Sequence, residues 1–460
     1  MMKKLLITLA ALMLCLTCAA AEEETLYPAM GENGLYGYIN ADAEWVIAPQ
    51  FDGAGAFRGD YAAAWVLPEG ADPEEWYDLD CEGVIDRQGN WMLEPEYTLV
   101  AGQSGGWFGG EDAGIWLVYC NADMALDEEG FLLTKEGFFD IPTGTFSGLK
   151  WGAVWHWCSD SRLIPVDDPE TGLSGYADRS TGEMVIPCLY YSVDPANFND
   201  GVATVALSDE DGNETSPWHL INERGETIPL PEGWQSAYAN QFSCGRIAVV
   251  NPDGLWGYAD GTGSIVIPAQ FAEAYEFCDG FACVEFAEGD MGYIDTDGNV
   301  LARGFAWANY CFYNGYAEVR LSGTNGADKV TGWINTAGEV VPFMDSDRFF
   351  PISPDRMWMR TAANYSAPWH LLDGEGNILT AEPVYLPEME PIAFESGLQA
   401  VCNAERKWGY IGLDGQEALP FIYSDAEAFD GELAWVRLGD RVGYIDRSGN
   451  EVYMWDDPIE

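Results

Sequence analysis

The chain has 460 residues, with 21 Lys and Arg against 76 Asp and Glu, a formal charge of −55. Phosphate recognition needs a basic footprint, so nucleic acid is excluded as a partner, and anionic membrane surfaces are disfavoured by the same repulsion. Disorder is not indicated, because 48% of the residues are hydrophobic and 14% aromatic.

Residues 1–21 read as an export signal rather than as part of the fold. Lys3 and Lys4 make a short basic start, and the apolar run from Leu5 to Leu16 is too short to span a bilayer. Ala19-Ala20-Ala21 then supplies small residues for cleavage before Glu22. Leu14 and Thr17 precede Cys15 and Cys18, where a lipid-modified Cys usually follows Gly, Ala or Ser. Secretion to an extracytoplasmic location is therefore expected over a lipid anchor at either Cys. No Pro/Ser/Gly-rich linker divides residues 22–460, which are expected to form one continuous repeat domain.

One motif recurs through that domain, and Leu255 to Val284 is its clearest copy. It runs through a Gly between large residues, a short strand, an Asp-x-x-Gly turn and a second strand. A Pro, an aromatic and Phe-x-x-Gly follow, leading into a third strand. The marker positions are Gly37, Gly83, Met124, Gly175, His219, Gly257, Gly292, Gly332, His370, Gly409 and Gly443. Their mean spacing of about 41 residues is the mark of stacked supersecondary units.

Gly443-Tyr444-Ile445 alternates large and small side chains, as a half-buried strand does. Asp446 to Gly449 reads as a type I turn closed by Gly at positive φ. Ala43 takes that Gly position in the first copy, which predicts an irregular turn there. The second strand is β-branched and stops at a Pro, as in Val185-Ile186-Pro187 and Val266-Ile267-Pro268, because Pro offers the ladder no N–H. Phe198 to Gly201 and Phe277 to Gly280 then enter third strands such as Val202 to Val205. At Met124, His219 and His370 the marker Gly is lost and the turn alone identifies the copy.

Leu255-Trp256-Gly257-Tyr258 and Lys407-Trp408-Gly409-Tyr410-Ile411, with their downstream Pro and Phe-x-x-Gly, resemble the WG repeats of bacterial proteins. The resemblance covers roughly residues 26–455. It implies repeat-mediated interaction and carries over no catalytic residue. The expected fold is all-β: about eleven tandem three-stranded antiparallel units stacked as an open curved β-solenoid. A β-propeller-like closed array is the alternative. The open form is favoured because whole units fit at both ends with no spare strand to staple a ring, and because propellers usually have ~4–8 blades.

Residues 98–173 are the most degenerate and contain Trp107, Trp116, Trp151, Trp155 and Trp157. Alternation places Trp151, Trp155 and Trp157 on one strand face, where exposed rings would stack on sugars. The competing reading packs them between units. Nine Cys follow the signal, scattered and with no Cys-x-x-Cys pair, so neither a disulfide framework nor a zinc module is signalled. Cys278 and Cys283 occupy apolar slots of the repeat and read as small buried hydrophobes. His156, His219 and His370 are the only histidines, and the last two hold equivalent repeat positions about four units apart, which suits no shared metal. Tyr293 and Leu207 stand where a calcium loop needs its first Asp. No His-Glu-x-x-His or Walker loop occurs.

The sequence thus leads to a non-catalytic scaffold without cofactor or metal, binding an unknown protein or glycan at the cell surface. Carbohydrate binding through Trp107, Trp151, Trp155 and Trp157 is the alternative, and glycan hydrolysis a distant third.

Overall fold

Short apolar runs separated by tight turns leave the backbone one economical way to satisfy its polar groups, which is pairing with the next strand along. A computed structural model describes residues 24–457 apart from 72–78, 101–113, 121–124, 127–131, 134, 156–160, 192–196, 210–212, 237–240, 288, 322–329, 344–348, 354, 363–365, 387–393 and 395–396. The export signal, Met124, His156, Cys158, Trp107 and Trp157 lie outside the described residues. Among those residues there is no helix, and the strands form antiparallel sheets of mostly three, four or seven strands, each strand pairing with a neighbour in sequence. Among the described residues no helix is long and apolar enough to cross a membrane.

The sixth copy shows the basic unit. Ile247–Val250 pairs with Trp256–Ala259, which pairs with Ile265–Phe271. Other copies carry a fourth strand in front of these three. Asp425–Asp430 precedes Leu433–Leu438, Arg441–Asp446 and Glu451–Asp456, and Glu273–Cys278 does the same for the seventh copy. What the sequence offered as a mere connection is therefore a strand in these units.

The marker Gly has a steric cause. The ladder shifts register beside it, bringing the second strand's backbone over the Cα. A Cβ at Gly257 would lie 2.5 Å from the Ile267 carbonyl oxygen, and one at Gly37 would lie 2.4 Å from that of Ile47. Gly137 shows the same closeness, 2.5 Å to the Gly148 carbonyl oxygen, in the strand Gly137–Asp140. The third copy is thus centred on Gly137 and not on Met124. The two described pieces near Met124, Ala125–Leu126 and Leu132–Leu133, form a separate small hairpin. Where His219 replaces the Gly, the second strand shrinks to Thr227–Ile228 and faces only Leu220 and Ile221. With no strand over it, a side chain fits.

The Asp-x-x-Gly turns have the expected form. In the last one Gly449 N donates to Asp446 O and Asp446 N to Asn450 O. Asp446 Oδ1 accepts the Ser448 and Asn450 amides, and Oδ2 accepts the Asn450 side chain. Those bonds, led by the Asn450 side chain, hold the Asp446 carboxyl below its ordinary 3.8. A lowered acid stabilises the fold above its unfolded value and loses that contribution as pH falls through the folded one. Asp446→Ala is therefore expected to cost about 1 kcal/mol at neutral pH. In paired denaturant titrations the difference from wild type will narrow only below pH 3.8. The first turn corrects the sequence reading. Ala43 takes φ 61° and keeps both turn bonds, Ala43 N to Asn40 O and Asn40 N to Glu44 O. The turn is regular, and Ala bears the strain that Gly avoids elsewhere.

The core lies between units. Tyr258, Ile267 and Phe271 of one unit pack on Ala274, Phe277, Ala282 and Val284 of the next. Tyr410, Leu419 and Tyr423 meet Ala426, Phe429, Ala434 and Val436 in the same way. Copies that keep the Tyr after the marker Gly share a recurring bond, in which its hydroxyl donates to a carbonyl beyond its own unit. Tyr38 reaches Gly55 O at 2.8 Å, Tyr258 reaches Tyr275 O at 2.8 Å and Tyr410 reaches Glu427 O at 2.8 Å.

The two ends of the array are also in contact. Tyr27, Ala29 and Ile39 form a buried cluster with Leu433 and Tyr444, and Tyr444 donates to Pro28 O at 2.8 Å, the same bond as inside the array. Tyr27 donates to Asp430 O at 2.8 Å and accepts from Glu432 N, while Tyr453 donates to Met30 O at 3.0 Å. An open solenoid keeps its end units apart, whereas these contacts bring the first and last units together. The ends join by side-chain packing, and no exchanged strand is needed.

Candidate binding face

Successive antiparallel strands reverse direction, so the Phe-x-x-Gly hairpins and the Asp-x-x-Gly turns emerge at one end of each unit. The hairpins are tight. Asp200-Gly201, Cys244-Gly245 and Asp279-Gly280 all take positive φ at both residues, which is the two-residue turn that suits twisted strands. Each Phe drops into the core, with Phe198, Phe242 and Phe277 at 2%, 4% and 1% exposure. The next residues are thereby held at the surface.

Three such hairpins in successive units surround a depression of about 730 Å³. Asp200, Cys244 and Asp279 come from the hairpins, Glu223 from an intervening Asp-x-x-Gly-type turn, Glu276 from the strand before a hairpin, and Arg162 from the preceding unit. Asn199 Nδ2 donates to Gln241 Oε1 at 3.2 Å, tying two of the hairpins together. Burial raises the Glu276 carboxyl above its ordinary range. Arg162 pairs with Asp178 at 2.7 Å, so the single cation of the wall already faces an acid.

Elsewhere on this end, too, arginines are engaged in holding turns together. Arg246 Nε donates to Thr296 O at 3.1 Å in the next unit, and Arg356 Nε to Leu413 O at 2.8 Å. Arg87 and Arg447 reach Gly59 O and Gly431 O. Arg224 instead stays exposed and pairs with Glu226 of its own turn, and carboxylates outnumber cations around the depression. Its chemistry is that of an anionic surface.

The residues singled out by sequence are dispersed. Trp151 is buried at 6%, packed with Phe138, Val154 and Ile164 between the third and fourth units. Of the two places the sequence left open for it, the ring takes the one between units, filling the gap where they meet. Trp155 is half-buried, and Trp107 and Trp157 lie outside the described residues. His219 Nδ1 contacts Pro217 O and His370 Nδ1 contacts Thr380 Oγ1, each within its own unit. Cys283 is buried as expected, whereas Cys278 is half-buried and forms a disulfide with Cys311, joining adjacent units. Sequence reasoning passed over Asp200, Glu223, Glu276 and Asp279. The signal that could have found three of the wall's elements was the Phe-x-x-Gly recurrence in consecutive units, which sets those hairpins side by side.

An all-β array of like units, joined by like interfaces and displaying its turns on one end, defines the class as a repeat protein. The model of the WG containing repeat matches residues 36–64, 83–108, 175–209, 256–287, 291–324 and 408–441, and the chain belongs to that family. The unmatched copies include those centred on Gly137, His219 and His370, where the motif is worn or the Gly is lost. No curated protein matches the sequence significantly. Among solved structures, the chain is similar to a eukaryotic initiation factor at 9% identity and TM-score 0.37, over 78% of this chain and 96% of that one. It is similar to the computationally designed Ika8 protein at 11% identity and TM-score 0.30, over 65% and 94%. BamB from Moraxella catarrhalis follows at 11% identity and TM-score 0.27, over 66% and 91%. Likenesses this weak carry no weight for function.

Proposed function

We propose that this chain is an exported, non-catalytic interaction scaffold, a closed ring of about eleven WG units that receives a basic segment of a partner protein on its acidic turn face. The observation that carries the reading is the depression walled by Asp200, Glu223, Glu276 and Asp279, with its one arginine already paired. A cationic side chain entering it meets several carboxylates and little competing positive charge. Ring closure is supported by the packing of Tyr27 and Ala29 on Leu433 and Tyr444. A glycan partner loses support, because the described part of the Trp row holds one buried and one half-buried ring.

The test is binding of Lys/Arg-rich and Glu-rich peptides to the mature chain, read by fluorescence anisotropy across salt concentrations. Basic peptides are expected to bind and to weaken with salt. The triple change Asp200→Lys, Glu223→Lys, Asp279→Lys should weaken binding by about tenfold or more, taking each exposed charge at under ~1 kcal/mol. The exposed acids Glu44, Glu170 and Glu417, reversed as a control, should change it far less. Equal losses in the two triples would reduce the effect to overall charge and sink the site.

A further inference from the structure

The wall of the depression also holds a cluster with different chemistry. Glu276, Cys278 and Cys311 each offer one ligand atom, and these atoms all lie within 4.8 Å of one another. Cys278 comes from the end of the strand Glu273–Cys278, and Cys311 from the segment entering the next hairpin at Phe312. Two features fix their approach. Tyr275 and Tyr310 stack at 4.1 Å between ring centroids, and Asp279 Oδ2 accepts the Gly315 amide at 2.9 Å. The two strands are therefore held together whether or not the sulfurs are bonded.

Glu276 poses a problem in the oxidised state. Its Oε1 lies 3.5 Å from Cys311 Sγ, and a disulfide sulfur has no proton to donate. A half-buried carboxylate is left facing two sulfur atoms, an unfavourable place for a charge. With both sulfurs as thiolates, a divalent cation would satisfy all three groups at once.

We propose that Cys278, Cys311 and Glu276 form a redox-gated site for a thiophilic divalent cation of the zinc class, closed when the disulfide is formed and open when it is reduced. Opening takes two thiol equivalents from a small reductant: the protein S–S bond breaks, each sulfur gains a proton, and the reductant leaves as its own disulfide. Binding of the cation then releases those two protons as two metal–sulfur bonds form. The carboxylate supplies the third ligand, and water reaching in from the depression takes the fourth position of a tetrahedron. Two Cys and one carboxylate favour zinc or cobalt(II) over calcium or magnesium, which take oxygen ligands. The inference does not rest on the peptide-binding reading, since metal uptake is measured with no peptide present.

The full mature chain, oxidised or reduced with a phosphine and desalted, is titrated with zinc against a chromophoric chelator. Cobalt(II) is added in parallel to read thiolate-to-metal charge transfer. The reduced chain is expected to take up one tight equivalent with a charge-transfer band, and the oxidised chain none. Cys278→Ser and Cys311→Ser should each abolish the band, and Glu276→Gln should weaken zinc at least tenfold. Cys188→Ser, a free cysteine outside the depression, should leave both intact. Where a variant fails to fold, the wild type still decides the matter by mass spectrometry. Zinc must slow alkylation of Cys278 and Cys311 in the reduced chain. Equal alkylation with and without zinc, or uptake unchanged in both Cys variants, overturns the site.

Discussion

Tyr27→Ala is expected to destabilise the protein by about 3–5 kcal/mol, as large truncations inside a core do. The residue stands in the first described strand, where an open array would leave it at a solvent-facing end. Here it is 2% exposed, its ring lies 5.3 Å from that of Tyr444, and its hydroxyl bonds both Asp430 O and Glu432 N. The cost should match that of Tyr258→Ala, which empties the same kind of space between two internal units. Tyr27→Phe removes only the hydroxyl, so roughly 1 kcal/mol is expected. Urea denaturation of the three variants settles the point. A loss below about 1 kcal/mol for Tyr27→Ala, the size of an ordinary surface change, would mean that the ends do not hold each other.

Gly257→Ala should cost about 2–3 kcal/mol, near the upper end for overpacking, because the added methyl meets backbone atoms that cannot rotate away. A Cβ there would lie 2.5 Å from Ile267 O and 2.8 Å from Ala269 N. His219→Ala, at the equivalent position, should be nearly neutral, since no second strand lies over it. The contrast separates steric closeness from mere repeat identity. Similar losses at the two positions would show that the marker Gly is retained for some other reason.

These two cases also show what the sequence made legible. The turn grammar is local: an Asp that accepts amides two and four residues on, then a Gly at positive φ, fixes its own geometry, and Asp446 to Asn450 folds as read. Ala43 defied the rule because bonds on both sides of the turn outweigh the strain of one residue. The third copy was misplaced because a separate hairpin near Met124 mimicked the motif while Glu136-Gly137-Phe138 hid it.

Properties that belong to several copies at once were not legible. The contact between the end units rests on Tyr27 and Tyr444 meeting across more than four hundred residues, and a search for a spare strand overlooks packing. The depression is the sum of three hairpins, each unremarkable alone. Trp151 reads as a sugar platform in one dimension and fills an interface in three. The pairing of Cys278 with Cys311 likewise depends on two units lying side by side.

The contact between Tyr27 and Tyr444 has a bearing on how the molecule comes apart. Linear arrays of modules fray from their termini, losing outer copies while inner ones persist, so their melting is graded. In the proposed ring, a necklace whose clasp resembles every other link, there is no loose bead to shed first. Its worn copies, those lacking the marker Gly, are braced from both sides instead of being free to peel away, and loss of any one link should loosen the whole circle together.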